Sequence, residues 1–326
     1  MTIPYRRTGS SGLKLPAFSF GLWQKFGTDY PSETQREIIL HAFDLGITHF
    51  DNADRYGPPH RAAQENFGRV FARDLAPHRD EIILSTKAGN PIGPGPYQRG
   101  GSRKSLLGSL DHSLRDLGVD YVDIFYHHSP DDETPLDETV GALVDAVRQG
   151  KALYVGISNY PAEKAHEAAV LLREAGVPLL IHQPRYNIFD RSIENNGLLE
   201  TAADDGFGLI LYSPLAQGLL TDKYLTDIPA DARANNSTFL SPSAITDEYR
   251  ERAAQLNSLA ADRGQSLAQL ALQWSLRRPE VTSALIGASS TAQLAHNTAA
   301  LDFPDLTDDE LAVIDTYGVH GTGQEA

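Results

Sequence analysis

Short apolar runs alternate with longer amphipathic stretches along almost the whole chain. Runs at 18–22, 47–50, 82–85, 121–126, 152–157, 179–182, 207–212 and 281–286 are too brief for helices and are bounded by turn residues, so each predicts a strand. Between them apolar positions recur at helical spacing, over 32–45, 61–72, 105–117, 136–148, 161–174, 195–205, 245–262, 266–276 and 291–301. In the first of these Ser32 can cap the helix, Ile38, Ile39, Ala42 and Phe43 share a face, and Gly46 stops it. Pro161 opens another, and Thr307-x-x-Glu310 reads as a capping box for a last helix ending at residue 317. The turn run Thr8-Gly9-Ser10-Ser11-Gly12 predicts a small hairpin over 5–17.

Eight strands alternating with helices fit βα units with buried parallel strands, and their closed solution is the (β/α)8 TIM barrel. The pattern adds an N-terminal β-hairpin, extra C-terminal helices and a long loop after the seventh strand. That loop, 216–244, lacks periodicity, is rich in Asp, Ala, Ser and Pro, and reads as functional. No break marks a second domain, so residues 1–326 are taken as one barrel domain. An open doubly wound sheet is the alternative, but the glycine-rich dinucleotide fingerprint is missing after the first strand.

Composition narrows the function classes. The formal charge of −15, from 43 acidic and 28 basic residues, argues against a nucleic-acid binder, though local lysines and arginines can still hold a phosphate. With no cysteine, disulfides and thiol chemistry are excluded, which fits a reducing compartment. The N-terminus lacks an apolar core of signal-peptide length, and no apolar run is long enough to span a bilayer, so a cytoplasmic protein without a membrane partner is expected.

The stretch Ile47 to His60, ITHFDNADRYGPPH, changes the picture most. An apolar strand stops at Asp51, and Tyr56 follows on a turn marked by Gly57 and two prolines. Alone, such a carboxylate is a turn former. The pattern recurs, however: polar residues at strand ends include Lys87, His128, Asn159, Gln183 and Tyr212, and barrel closure brings those ends to one rim. Asp, Tyr, Lys and His on neighbouring strands suggest proton donation to a carbonyl. Tyrosine is ordinarily too weak an acid, but an adjacent Lys87 ammonium would stabilise its phenolate, Asp51 would hold that lysine charged, and His128 would orient the carbonyl. The bland alternative makes Asp51 and Lys87 a structural ion pair, His128 a core histidine and Tyr56 a lid aromatic. A Schiff base on Lys87, as in an aldolase, is a further alternative, but it leaves Asn159, Gln183 and Tyr212 without a shared role.

HFDNADRYG, STKAG, YVDIFYHHSPD, GKALYVGISNY, YSPLAQGLLTDKY and LIGASSTAQLAHN together resemble the aldo-keto reductases. The resemblance runs from about Tyr5 to Tyr317 and is nearest the branch of potassium-channel β subunits and bacterial glyceraldehyde 3-phosphate reductases. It implies a metal-free, NADP(H)-dependent carbonyl reductase with the catalytic tetrad Asp51, Tyr56, Lys87 and His128, and Tyr56 as proton donor. It further implies that Ser158, Asn159 and Gln183 hold the carboxamide and Tyr212 stacks on the nicotinamide. Ser213, Leu215 and Gln217 would wrap the pyrophosphate, Lys223 and Arg233 would reach the adenosine phosphates, and Ser289, Gln293 and Asn297 would meet the adenosine end. Trp23, Tyr97, Tyr56 and His128 would wall the substrate pocket, which suits small aldehydes such as methylglyoxal, aromatic aldehydes or glyceraldehyde 3-phosphate. A homo-oligomer, tetramer or octamer, follows from the same resemblance. So does a second reading, a cofactor-binding regulatory or scaffold subunit with slow turnover; channel subunits lack a histidine at position 128, whereas this chain retains one.

Three positions depart from the pattern. His127 precedes the catalytic register and by strand alternation faces the other way, which makes it structural. Ser129 stands where reductases of the phosphorylated aldehyde carry arginine, and Ser290 where relatives carry an arginine for the 2′-phosphate. The second loss predicts a modest preference for NADPH with relaxed use of NAD(H). Trp274 reads as packing.

Overall fold

The computed structural model describes residues 3–228, 233–236 and 240–323. Strands β1 (Tyr5–Arg7) and β2 (Lys14–Pro16) form an antiparallel hairpin. The others are β3 (Phe18–Gly21), β4 (His49–Asp51), β5 (Ile83–Ala88), β6 (Val122–His127), β7 (Ala152–Ser158), β8 (Leu179–Gln183), β9 (Gly208–Leu211) and β10 (Val281–Ile286). These eight close into a parallel barrel in the order β10-β3-β4-β5-β6-β7-β8-β9. The (β/α)8 barrel with its leading hairpin is therefore the architecture.

Helices α1 (Ser32–Asp44), α2 (Ala62–Val70), α3 (Arg103–Leu117), α4 (Leu136–Arg148), α5 (Ala162–Glu174), α6 (Ser192–Asn195) and α7 (Leu198–Asp205) follow the first strands in turn. A short α8 (Arg233–Asn236) lies in the long loop, followed by α9 (Asp247–Asp262), α10 (Leu267–Ser275), α11 (Thr291–Thr298) and α12 (Asp308–Tyr317). Ser102, Thr246, Ser266, Ser290 and Thr307 each cap a helix N-terminus with a side-chain oxygen, the last as the expected capping box with Glu310. The expected helix over 195–205 is broken because Gly197 adopts φ 79°, a left-handed conformation that cannot continue a helix. The helix over 61–72 ends at Val70 and widens into a turn from Phe71 to Leu75. The start of the long loop is packed in place: Leu219, Leu220 and Tyr224 are buried, and the Tyr249 hydroxyl donates to the Leu219 carbonyl at 2.8 Å.

Alternation along each strand sorts the side chains into two cores. Outward residues such as Phe18, Phe20, Phe50, Leu84 and Phe125 join the helices in the larger apolar cluster. The Phe20 ring meets Phe26 and Phe50 edge-on, with centroids 5.6 and 6.4 Å apart. Inward residues fill the barrel. On one side Ile124, Tyr126, Ile181, Ile210 and Leu285 form an apolar cluster, into which β2 tucks Leu15 just ahead of the start of β3. The other side, from β10, β3, β4 and β5, is polar and buried: Ser283, Ser19, His49, Asp51, Ser85 and Lys87.

Gly156 on β7 belongs to this interior. A Cβ there would stand 2.5 Å from two carbons of the Tyr126 ring, so the missing side chain is what admits that ring. Gly156→Ala should therefore destabilise the fold by roughly 1–3 kcal/mol, as overpacking does in a rigid core. Urea unfolding of the two proteins checks this, and an unchanged midpoint would contradict it.

Candidate active site

Because strand residues alternate, each inward column ends in one side chain at the carboxyl end of the barrel. Those end positions are Asp51 on β4, Lys87 on β5, His128 directly after β6, Ser158 on β7, Gln183 on β8 and Tyr212 directly after β9. Asp51 and Lys87 lie inside their strands, not beyond them, since the ladder continues through Asp51–Ser85 and Lys87–Tyr126. Both are fully buried and ion-paired, Lys87 Nζ to Asp51 Oδ2. Lys87 also donates to the Asn52 carbonyl at 2.8 Å, while Asp51 Oδ1 accepts from Ser85 Oγ at 2.7 Å and from Gln183 Nε2 at 3.4 Å.

The turn after β4 brings Tyr56 over this pair. Lys87 Nζ lies 4.8 Å from the centre of the Tyr56 ring, and the His128 ring meets it edge-on at 6.0 Å. All four sequence candidates for proton transfer thus share one cluster. Burial pulls Lys87 below the ordinary lysine range, and the Asp51 charge opposes that pull. Burial, reinforced by Lys87 and Arg55, holds His128 well below the ordinary histidine range, hence neutral. Its Nδ1 is buried without a partner among the described residues.

Tyr56 behaves differently from the sequence expectation. Withdrawal from water first, then the negative charge of Asp51, push its pKa well above the ordinary phenol value. The Lys87 hydrogen bonds go to Asp51 and Asn52, and its ammonium lies against the Tyr56 ring. The hydroxyl is held protonated, the form from which a proton is donated to an acceptor oxygen.

The remaining strand-end residues are wired to this cluster. Ser158 Oγ donates to the Gln183 carbonyl at 2.8 Å, and Asn159 Nδ2 donates to the His128 carbonyl at 2.9 Å. The Tyr212 hydroxyl donates to Asn159 Oδ1 at 2.8 Å. Asn159, Ser213 and Gln217 adopt φ of 61°, 55° and 60°, a strained choice for residues other than glycine. Leu215 sits half-buried between the last two. Gln217 Oε1 and Asn297 Nδ2 are buried without partners among the described residues. Lys223, Ser289 and Gln293 are exposed, and Gln293 Oε1 accepts from the Ser289 N–H at 2.8 Å and its hydroxyl at 3.0 Å. Ser290 caps α11, accepting from the Gln293 N–H at 3.1 Å. The side chain of Arg233 lies outside the described ones.

Trp23 follows β3 at the rim and is half-buried. Tyr97, expected in the pocket wall, is not with the others: it is 65% exposed, with Lys104 Nζ 5.8 Å from its ring centre. Its loop folds onto itself through Gln98, whose carbonyl accepts from Ile92 and whose side chain accepts from Gly95, and this turns Tyr97 outward. His127 faces away from the barrel, as alternation required, and shares a hydrogen bond of 2.6 Å with the Tyr160 hydroxyl. Trp274 is fully buried, with Arg277 3.6 Å from its ring centre.

Four further residues escaped sequence reasoning. His49, Ser85 and Tyr126 stand two positions before Asp51, Lys87 and His128, so they occupy the next inward layer. That spacing was the available signal. Asp54, on the turn between Asp51 and Tyr56, is buried and accepts from Ser109 Oγ at 2.6 Å. Burial raises its pKa to about 7 despite the hydroxyl and the Lys87 charge.

Residues 17–318 match the family model described as "Aldo/keto reductase family". The chain is 52% identical over 321 residues to the L-glyceraldehyde 3-phosphate reductase of Escherichia coli K12, covering 97% of this chain and 93% of that one. It is 36% identical over 319 residues to a "Probable voltage-gated potassium channel subunit beta" of Oryza sativa subsp. japonica, covering 95% and 96%. A protein of the same description in Arabidopsis thaliana is 36% identical over 302 residues, 91% of each chain.

Asp54 makes a separate stability prediction. Its carboxyl is harder to ionise in the fold than in the open chain, so its contribution is present in full below about pH 4 and is lost as pH rises through about 7. Asp54→Asn should remove that loss. The variant should gain stability relative to wild type on going from acid to neutral pH, measured by urea unfolding at both. Parallel pH dependences would contradict it.

Proposed function

Because this chain belongs to the aldo/keto reductase family, we propose that it reduces small aldehydes to alcohols with NADPH, and that Tyr56 delivers the proton. A bound nicotinamide supplies the hydride; the chain supplies position and the proton. The observation that carries the reading is the convergence of Tyr56 and His128 over the buried Lys87–Asp51 pair. The neutral His128 and the Tyr56 hydroxyl present hydrogen-bond donors to one carbonyl oxygen, polarising it as negative charge develops there. Tyr56, kept protonated by its surroundings, gives up its proton as the alcohol forms. Lys87, fixed by Asp51 and the Asn52 carbonyl, then offsets the phenolate charge left behind.

The fit to a dinucleotide rests on the same rim. Ser158, Asn159 and Gln183 can hold a carboxamide, with the Tyr212 ring beside it. Ser213, Leu215 and Gln217 would follow the pyrophosphate, and the unpartnered Gln217 Oε1 and Asn297 Nδ2 are buried polar atoms that a bound nucleotide would satisfy. Lys223 and Arg233 are the phosphate partners we assign from sequence, with Ser289 and Gln293 at the adenosine end. Ser290 spends its side chain on capping α11 and brings no charge for a 2′-phosphate.

For the substrate, the E. coli relative's name points to glyceraldehyde 3-phosphate, whereas the neutral Ser129 favours small unphosphorylated aldehydes, with Trp23 as a wall. The similarity to channel β subunits supports a second reading, a slow cofactor sensor. His128 beside Tyr56 favours turnover over it.

Tyr56→Phe should keep cofactor binding and lose about a hundredfold or more of kcat on methylglyoxal, 4-nitrobenzaldehyde or glyceraldehyde 3-phosphate. Tight NADPH binding by the wild type with no turnover on any of them would instead support the sensor. With Tyr56 held protonated, kcat for reduction should stay level from about pH 7 to about pH 9, and a fall centred between them would mean an acidified phenol. Titration should give a Kd for NADPH below that for NADH by about tenfold or less. Equal or tighter NADH binding would contradict the NADPH assignment.

A further inference from the structure

The polar side of the barrel interior forms one continuous chain beneath the site. Ser283 Oγ lies 2.7 Å from Ser19 Oγ, which lies 2.9 Å from His49 Nδ1; His49 Nε2 lies 3.0 Å from Ser85 Oγ, which donates to Asp51 Oδ1 at 2.7 Å. Each member is wholly buried. We propose that His49 is a positioning residue for the reaction: it holds Ser85 so that the serine hydroxyl donates into Asp51 and fixes the carboxylate that grips Lys87. The inference rests on the reading of Asp51 and Lys87 as part of the reacting set.

Proton counting gives the chain a direction. Ser85 has one hydroxyl hydrogen, and it goes to Asp51. His49 Nε2 must then be the donor to Ser85 Oγ, which leaves Nδ1 as the acceptor from Ser19. The imidazole is neutral here, since burial lowers its pKa to about 4, so one tautomer satisfies both neighbours. Ser19, having donated to His49, accepts from Ser283, whose hydroxyl also reaches toward the Ala17 carbonyl at 3.3 Å. Every donor in the chain therefore points toward Asp51, and hydrogen bonds aligned in this way polarise one another.

The consequence is mechanical as well as electrostatic. Asp51 Oδ2 is taken by Lys87 and Oδ1 by Ser85, with Gln183 Nε2 at 3.4 Å. Ser85 is the shortest tie on Oδ1, and among the described residues His49 is the other hydrogen-bond partner of its hydroxyl. Without that tie Asp51 can turn, and Lys87 with it. Both ring nitrogens of His49 are bonded, to Ser19 and to Ser85, a pairing that core filling alone would not call for.

The test compares His49→Leu, which fills the space, with His49→Gln, whose amide can donate to Ser85 and accept from Ser19. Wild type and Tyr56→Phe are the references. Rates are expressed per NADPH-binding site, so that loss of folded protein does not count. We expect kcat to fall about tenfold in His49→Leu with KM and the NADPH Kd within about twofold, and to recover to within about threefold of wild type in His49→Gln. Equal kcat for Leu, Gln and wild type, whatever happens to thermal stability, would overturn the proposal. So would Gln no better than Leu. If His49→Leu does not fold, Ser19→Ala decides: it removes the donor to Nδ1, along with the acceptor for Ser283, and a kcat indistinguishable from wild type would overturn the proposal. Retained activity in Tyr56→Phe would sink the proton-donor reading itself, a result separable from failure of the His49 arm.

Discussion

An ion pair with no access to water is the constraint on which the rest of this molecule depends. Lys87 and Asp51 are both fully buried, and desolvating two charges costs several kcal/mol per ion unless geometry and further hydrogen bonds return it. Here the return is visible. Lys87 adds the Asn52 carbonyl, and Asp51 adds Ser85 and, at longer range, Gln183. With the pair itself those partners span three strands, β4, β5 and β8, and the turn after β4, so the pair is satisfied only when the barrel has closed around it. Replacing such a pair by well-packed apolar residues is commonly neutral or stabilising, so its retention argues for a function other than stability.

The pair also dictates what its neighbours can be. His128 beside a lysine charge and out of water is neutral; Tyr56 beside an aspartate charge and out of water is protonated. A donor pair of this kind suits delivery of a proton to an oxygen that is becoming negative. The same fields keep the tyrosine protonated, so its phenolate is scarce at neutral pH.

Much of this was legible in the chain because the barrel converts sequence position into depth. A residue at the end of a short apolar run lies at the rim, and eight such runs set Asp51, Lys87, His128, Gln183 and Tyr212 around one opening. His127 was legible as outward-facing by the same alternation. What the pattern hid has physical causes. The polar layer of His49, Ser85 and Ser19 lies inside strands, where a polar residue in an apolar run reads as noise until its cross-strand partners are known. Tyr97 sits in a loop of glycines and prolines whose path is set by Gln98, a contact without periodicity. The direction of the Tyr56 shift was set first by burial and then by the Asp51 charge, and depth of burial is not revealed by residue types alone. Gly197 broke a helix that apolar spacing had joined.

The central claim is that a hydride and a proton reach one carbonyl from two sources, nicotinamide and Tyr56. Mass spectrometry of the alcohol formed from methylglyoxal or 4-nitrobenzaldehyde with NADPH deuterated at the transferable C4 position tests it most directly. The account predicts one deuterium on the carbinol carbon in ordinary water, and none there from deuterated water with unlabelled NADPH. Deuterium entering the carbinol carbon from the solvent, or alcohol formed without cofactor label, would contradict it and mean that the two electrons come from a source other than the nicotinamide C4 hydride.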